Sequence, residues 1–330
     1  MGQNTTLDKG LTLRPTAESD FDDVLSLIIE CDVDELGHPD YDAPDLRDDW
    51  TRAPVLEDVS RVVVSTDGRL AGYAFAYDRL PVRLTGSAYT KPSQRGRGIG
   101  TTLTRWLVER AATRLDTAPE AARVIFEIGT NAENAAAMEL LANEGFTVHR
   151  YMLRMTISLD QPTPGPSWPD GIAVHRFALG KDDRATYEAV EESFSDHWGW
   201  APRAYETWRH TALGSAAFDP SLWLLAKDGD EIAGVALCSD HPETGEGWIN
   251  TVGVRRPWRR SGVGLALMYE AFNALRSRGR SSASLGVDAQ SLTGATRLYE
   301  KAGMHVAHRF AMCAKELRAG VETTVQALAD

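Results

Sequence analysis

A short glycine frame occurs twice in this chain of 330 residues. Arg95 opens Arg-x-x-Gly-x-Gly through Gly98 and Gly100, and Arg259 opens it again through Gly262 and Gly264. The surroundings repeat in the same order. Upstream, RVVVSTDGRLAGYAFAY (61–77) resembles LWLLAKDGDEIAGVALCSD (222–240), each an apolar run, an Asp-Gly turn and a second run, which reads as a β-hairpin. Downstream, TNAENAAAMELLANEGF (130–146) resembles VDAQSLTGATRLYEKAGM (287–304), each running into a glycine, Gly145 or Gly303, that suits a helix C-cap. Such self-similarity constrains the fold more than any single motif, because whatever one half builds the other must build again.

The length agrees, since a chain of this size is long for one core. Between the copies lies Asp160–Gly171, with Pro162, Pro164, Pro166 and Pro169 and no hydrophobic period, which reads as a linker. The expected division is therefore 1–159, a linker at 160–171, and 172–330. Each half reads as an opening strand, one or two helices, a meander, the glycine loop, a helix, a strand, a second helix and a closing strand. That order is α/β with a mixed sheet. Behind the loops, Leu103, Trp106, Leu107 and Ala111 recur at helical spacing, as do Leu265, Met268, Phe272 and Leu275. These stripes are core packing.

Composition narrows the partners. A formal net charge of −12 argues against nucleic acid or an anionic membrane as a partner. Cys31, Cys238 and Cys313 are odd in number and far apart, so neither a disulfide framework nor a cysteine zinc site is expected, and the histidines show no metal spacing. The first ten residues contain no apolar core of a leader, and no window approaches a membrane span. A cytoplasmic protein, monomeric or a loose homodimer, is the expectation.

A glycine turn opening a helix presents unpaired N–H groups and the positive end of the helix dipole, a setting for a pyrophosphate. Neither copy carries the Gly-Lys-Ser/Thr of a Walker loop. A dinucleotide fingerprint would need a third glycine where Leu267 stands, and would open the first βα unit instead of following a hairpin. With the first absent and the second disfavoured, the loop Val254–Gly264 and the helix motif Asp288–Gly303 resemble those of the GNAT acyltransferase superfamily, and the two copies resemble its tandem form over nearly the whole chain.

That resemblance implies acetyl-CoA as co-substrate and an amine of a small molecule as acceptor. The second loop would hold the cofactor through Arg259, Arg260, Ser261, Gly262, Val263 and Gly264, with the pantetheine arm along Val252, Gly253 and Val254. In the first loop Arg95, Gly96, Arg97, Gly98, Ile99 and Gly100 are the counterparts. Tyr299 occupies the position where this family commonly places the acid that protonates the departing thiolate. Aligned on Gly145 and Gly303, it falls on Leu141 in the first copy, which has no proton to give. One catalytic site per chain, in the second copy, is therefore expected. For the general base two candidates stand: Glu246, before the strand that ends at Val254, and His197, beside Asp196 in a loop expected to border the acceptor. Acetylation of a protein amine and a non-catalytic acyl-CoA sensor are the alternatives, and an intact Tyr299 counts against the sensor.

Overall fold

A computed structural model describes residues 7–53, 55–291 and 294–324. Leu292 and Thr293 of the second helix motif, and Met1–Thr6, lie outside the described residues. The first repeat runs β1 (Leu11–Pro15), α1 (Phe21–Leu36), α2 (Ala43–Arg52), α3 (Leu56–Val59), β2 (Ser60–Ser65), β3 (Leu70–Leu80), β4 (Arg83–Thr90), α4 (Ile99–Ala112), β5 (Val124–Asn131), α5 (Ala135–Asn143) and β6 (Thr147–Ser158). The second runs β7 (Ile172–Arg176), α6 (Asp183–Phe194), α7 (Tyr205–Leu213), β8 (Trp223–Asp228), β9 (Glu231–His241), β10 (Glu246–Val254), α8 (Val263–Ser277), β11 (Ser282–Asp288), α9 (Ala295–Lys301) and β12 (His305–Arg318). The element order matches the expectation except that the first repeat has three helices, α1 to α3, before its meander, and no described helix is long and apolar enough to cross a membrane.

Local chemistry explains the boundaries. In α1, Val24, Leu27, Ile28 and Cys31 form one buried stripe, and Gly37 at φ 82° ends the helix. The Asp42 side chain accepts from the Asp45 N–H at 3.0 Å and starts α2. In α4 the stripe Leu103, Leu107 and Ala111 is buried, while Trp106 lies at the rim beneath the Arg61 guanidinium. In α8, Met268, Phe272 and Leu275 are fully enclosed. Burying side chains of this size stabilises by about 1.5–3 kcal/mol each.

The chain forms two compact units, and they do not divide at 160–171. One consists of Met1–Tyr151 with Arg309–Thr323, and the body of the other is Met152–His308. The first unit has strand order β1-β2-β3-β4-β5-β12, in which β12 pairs antiparallel with β5 from Phe310↔Asn131 to Arg318↔Val124. In the second unit the order is β7-β8-β9-β10-β11-β6, and β6 pairs antiparallel with β11 from Met152↔Asp288 to Ser158↔Ser282. The closing strands are thus exchanged between repeats, which corrects the expected boundary. Alternation along a strand specifies a face and a register, but not which of two similar sheets supplies the neighbour.

The proline-rich stretch is likewise not a free linker. It belongs to the second unit, where Trp168 packs on the core around Phe272 and the Leu159 N–H donates to the Ser281 carbonyl at 2.7 Å. In each unit the sheet has a core on both faces. The first unit buries Leu107 and Phe126 on the α4 side, and Ile28, Trp50 and Tyr73 on the α1 side. The second buries Leu275 and Leu285 beneath α8, and Trp208, Trp223 and Leu237 beneath α6 and α7.

Candidate active site

The site begins where two parallel strands part. β10 pairs with β11 only from Glu246↔Ser282 to Trp248↔Ser284, while β10 stays on β9 through Val254 and β11 stays on β6 through Asp288. A bulge between Ile249 and Thr251 falls just after the separation, where such irregularities re-aim a strand. Beyond Trp248 the facing edges are therefore open, and their backbone groups are available to an extended ligand. The first unit parts likewise, with β4 and β5 paired from Arg83↔Ile125 to Gly86↔Ile128 although both strands run on.

The glycine loop stands at the open end. After β10 the chain makes one short turn at Arg256–Trp258, Arg260 takes φ 63°, and Gly262 takes φ 102° before α8 starts at Val263. A positive φ of that size suits glycine alone. A methyl group built on Gly262 would meet no protein atom within 4 Å, so the space above the helix start is open. The first turn of α8 has no intrahelical acceptors for its N–H groups, and the Ala266 N–H, bonded to the Gly262 carbonyl at 3.1 Å, is where the ladder begins. Bare amides, a helix dipole and an open approach fit the pyrophosphate of acetyl-CoA.

Gly264 serves packing. A methyl there would lie 3.1 Å from the Leu298 side chain, a tight contact that glycine avoids where α9 packs on α8. The next residue, Tyr299, is 8% exposed and packs in the α8 core, and its hydroxyl makes no hydrogen bond among the described residues. Burial pushes its phenol up to about 12, which keeps the proton in place at neutral pH. In the first unit a methyl on Gly100 would lie 2.9 Å from Leu140, and Leu141 follows, 4% exposed. The two loops seat their helices through equivalent contacts, and Leu141 takes the place of Tyr299.

The arginines behave otherwise than expected. Arg259 faces inward, its Nε donating to the Val254 carbonyl at 3.1 Å, Nη1 to Asp196 at 2.7 Å and Nη2 to the Ser193 carbonyl at 3.2 Å. Arg256 also pairs with Asp196, and Arg255 pairs with Glu192 at 2.6 Å. The Arg256 and Arg259 guanidinium groups hold the Asp196 carboxyl below the usual carboxylate range. In the first loop Arg95 pairs with Asp34 at 2.7 Å, and Arg97 with Asp8 at 3.1 Å and with Gln94. Arg260 is exposed and makes no hydrogen bond or ion pair among the described residues. Arg256 is exposed as well but is held by Asp196, so of Arg255, Arg256, Arg259 and Arg260 only the last has no side-chain partner among the described residues.

The two base candidates separate. Glu246 lies at the paired end of β10 and β11, where Arg154 forms an ion pair with it and the Ser284 hydroxyl donates to it. Arg154 is 2% exposed, so the carboxylate is balanced by a buried cation at the closed end of the strands, and the expectation of a free base there is corrected. His197 packs on Phe194, ring centroids 4.3 Å apart, and its ring makes no hydrogen bond among the described residues. Burial first, and Arg259 second, hold its pKa below the usual value, opposed by Asp196 and by Asp288. Asp288 is the last residue of β11, which puts His197 in electrostatic reach of the open end.

Sequence reasoning missed a polar floor. Leu237 packs under α6 and α7, but two residues on, the same face carries Ser239, paired across the strands with Trp248, which pairs in turn with Ser284. The Asn250 amide, at the bulge, donates to the Ser239 hydroxyl at 2.9 Å, and Ser284 and Thr156 share a hydrogen bond of 2.7 Å. The alternation of apolar and polar residues in 246–254 was the available signal. The bulge at Asn250, which interrupts that alternation, hid it.

Known proteins agree with this geometry. The profile of the acetyltransferase (GNAT) family matches residues 21–146 and 184–304. A mycothiol acetyltransferase of Thermobispora bispora is 30% identical over 74% of this chain and 80% of its own length, and one from Streptomyces scabiei is 30% identical over 75% and 77%. Among solved structures, a GCN5-related N-acetyltransferase from Sphaerobacter thermophilus is 39% identical with a TM-score of 0.83, covering 96% of this chain and 99% of that one. A tandem GNAT protein from the clavulanic acid biosynthesis pathway shares the fold at 16% identity, with a TM-score of 0.71 over 94% and 100%.

Proposed function

Because this chain belongs to the GNAT acetyltransferase family and is an N-acetyltransferase with acetyl-CoA as co-substrate, we propose that it acetylates the amine of a small polar molecule at one site, in the unit Met152–His308. The observation that carries this reading is the pairing of Tyr299 with an open helix start in the second repeat, against Leu141 in the first.

The amine nitrogen attacks the thioester carbonyl, and the carbon–sulfur bond breaks. The leaving thiolate takes the proton of the Tyr299 hydroxyl, and the tyrosinate regains a proton from solvent as His197 gives one up, which restores both groups. The proton lost by the amine passes to His197, directly or through water, because its depressed pKa leaves the ring neutral and able to accept. A backbone N–H near Val254, on the edge of β10 turned away from β9, polarises the carbonyl, and the amides at Gly262–Gly264 hold the pyrophosphate. Trp248 and Asn250, half-buried and exposed on β10, offer an acceptor one aromatic surface and an amide above the buried Ser239. Relatives that carry the name mycothiol acetyltransferase support a small-molecule acceptor.

Acetyl-CoA titrated by calorimetry into wild type, Gly98→Glu and Gly262→Glu, with thiol release measured against a panel of amines, tests this reading. Only Gly262→Glu should abolish turnover, since it sets a carboxylate where the pyrophosphate sits. Turnover lost with Gly98→Glu instead would move the site to the first repeat. A wild type that binds no acetyl-CoA would remove the proposal altogether.

A further inference from the structure

Both glycine frames open with an arginine, and neither arginine faces the space above its helix. Arg259 ties three segments together: the end of β10 through the Val254 carbonyl, the end of α6 through the Ser193 carbonyl, and the following loop through Asp196. Asp196 is 8% exposed and accepts from both Arg256 and Arg259, so solvent screens this cluster less than a surface pair. Arg95 repeats the acidic part of the tie at the end of α1, as a more exposed pair with Asp34 at 2.7 Å and Glu35 at 3.6 Å. The tie survives in the repeat whose α5 carries Leu141, so it belongs to the loop and not to the proton transfer.

We propose that the first arginine of the frame is a strut that fixes the loop amides and not a phosphate ligand, and that Asp196 is the positioning residue that holds it in the second repeat. This inference rests on the acetyl-CoA reading of that loop. Arg259 stands three residues before Gly262, so fixing its side chain sets the course of the backbone that presents the helix amides. The negative charge of the phosphates is then met by those amides and by the exposed Arg260. Because His197 follows Asp196 directly, the same carboxylate also steadies the segment that carries the proposed base.

A double-mutant cycle separates strut from ligand. Asp196→Asn, Arg259→Met and their combination are titrated with acetyl-CoA by calorimetry and assayed for KM and kcat, with circular dichroism as the control for folding. Each single change should weaken acetyl-CoA binding about tenfold, a shift of about 1.4 kcal/mol, and raise KM more than it lowers kcat. The double variant should be no weaker than either single, and Asp196→Glu should recover most of the affinity. Arg260→Ala, which removes a group outside the strut, should add its loss to that of Asp196→Asn. Tighter binding by Asp196→Asn, from a released Arg259, would overturn the inference, as would losses that add in the double variant or an unchanged affinity. If Asp196→Asn fails to fold, Arg259→Lys, which keeps the charge without the planar fork, gives the same reading: weakened binding supports the strut and unchanged binding removes it. Failure of the wild type itself to bind acetyl-CoA would instead sink the reading of the loop as a cofactor site.

Discussion

The two repeats build the same approach to a ligand and differ at its centre. Each parts two parallel strands, turns on a glycine with positive φ, ties the first arginine of the frame to an acidic side chain, and seats its last helix against a glycine, Gly100 or Gly264. At the next helix position one repeat has Leu141 and the other Tyr299. Both side chains are buried, so packing alone does not discriminate between them. The difference separates two demands on one scaffold: the loop, strut and helix contact recur in both repeats, while a single hydroxyl distinguishes the repeat proposed to carry the chemistry.

The comparison breaks most sharply at that hydroxyl. Tyr299→Phe should lower kcat about 10²- to 10³-fold, as for a positioned general acid, with acetyl-CoA affinity unchanged in calorimetry. Leu141→Phe should leave turnover untouched. Equal activity in Tyr299→Phe and wild type would end the assignment of the acid. Next in size is the base: His197→Gln should cost about tenfold in kcat/KM, less than the usual about 10²- to 10⁴-fold of general base catalysis because water can relay the proton. The pH profile carries the sign. With the His197 pKa held below 6.5, the wild-type rate should fall only as pH drops beneath that value, and the limb should vanish in the variant. The same shift makes the fold less stable below pH 6.5, because the unfolded chain binds the proton more readily than the native one.

A smaller contrast sharpens the equivalence of the two helix contacts. Gly100→Ala and Gly264→Ala should each change stability by no more than about 1 kcal/mol, crowding against Leu140 or Leu298 being partly offset by the helix preference of alanine, measured by denaturant unfolding. Only Gly264→Ala should also reduce kcat, since it displaces the turn that carries Tyr299. A rate loss in Gly100→Ala would mean that the first repeat takes part in the reaction. The smallest effect is expected from Arg260→Ala, a severalfold rise in the KM for acetyl-CoA that fades with added salt, as an exposed charge should.

Much of this was legible in the residues themselves. The repeat, the glycine turns, the helical stripes and the replacement of Tyr299 by Leu141 are local patterns, and local patterns survive folding. What escaped is set by distance in space. A guanidinium such as Arg259 reaches a phosphate or an aspartate with equal ease, and Asp196 is 63 positions away along the chain. Glu246 looked poised before a key strand, but its partner Arg154 comes from β6, a strand assigned at first to the other domain. The proline-rich stretch shows no period, yet Trp168 anchors it.

The strand exchange has a consequence for synthesis. The first unit takes its sixth strand from β12, so that sheet stays incomplete until the second repeat has been translated. At about 5–20 residues per second the ribosome needs roughly 8–30 s to pass from β6 to the end of β12. Throughout that interval the edge of β5, with Phe126 and Ile128 beside it, lacks the strand that covers it in the finished protein. The early half of the chain must therefore wait, partly built, for the late half, and its window for misassociation is set by the pace of translation.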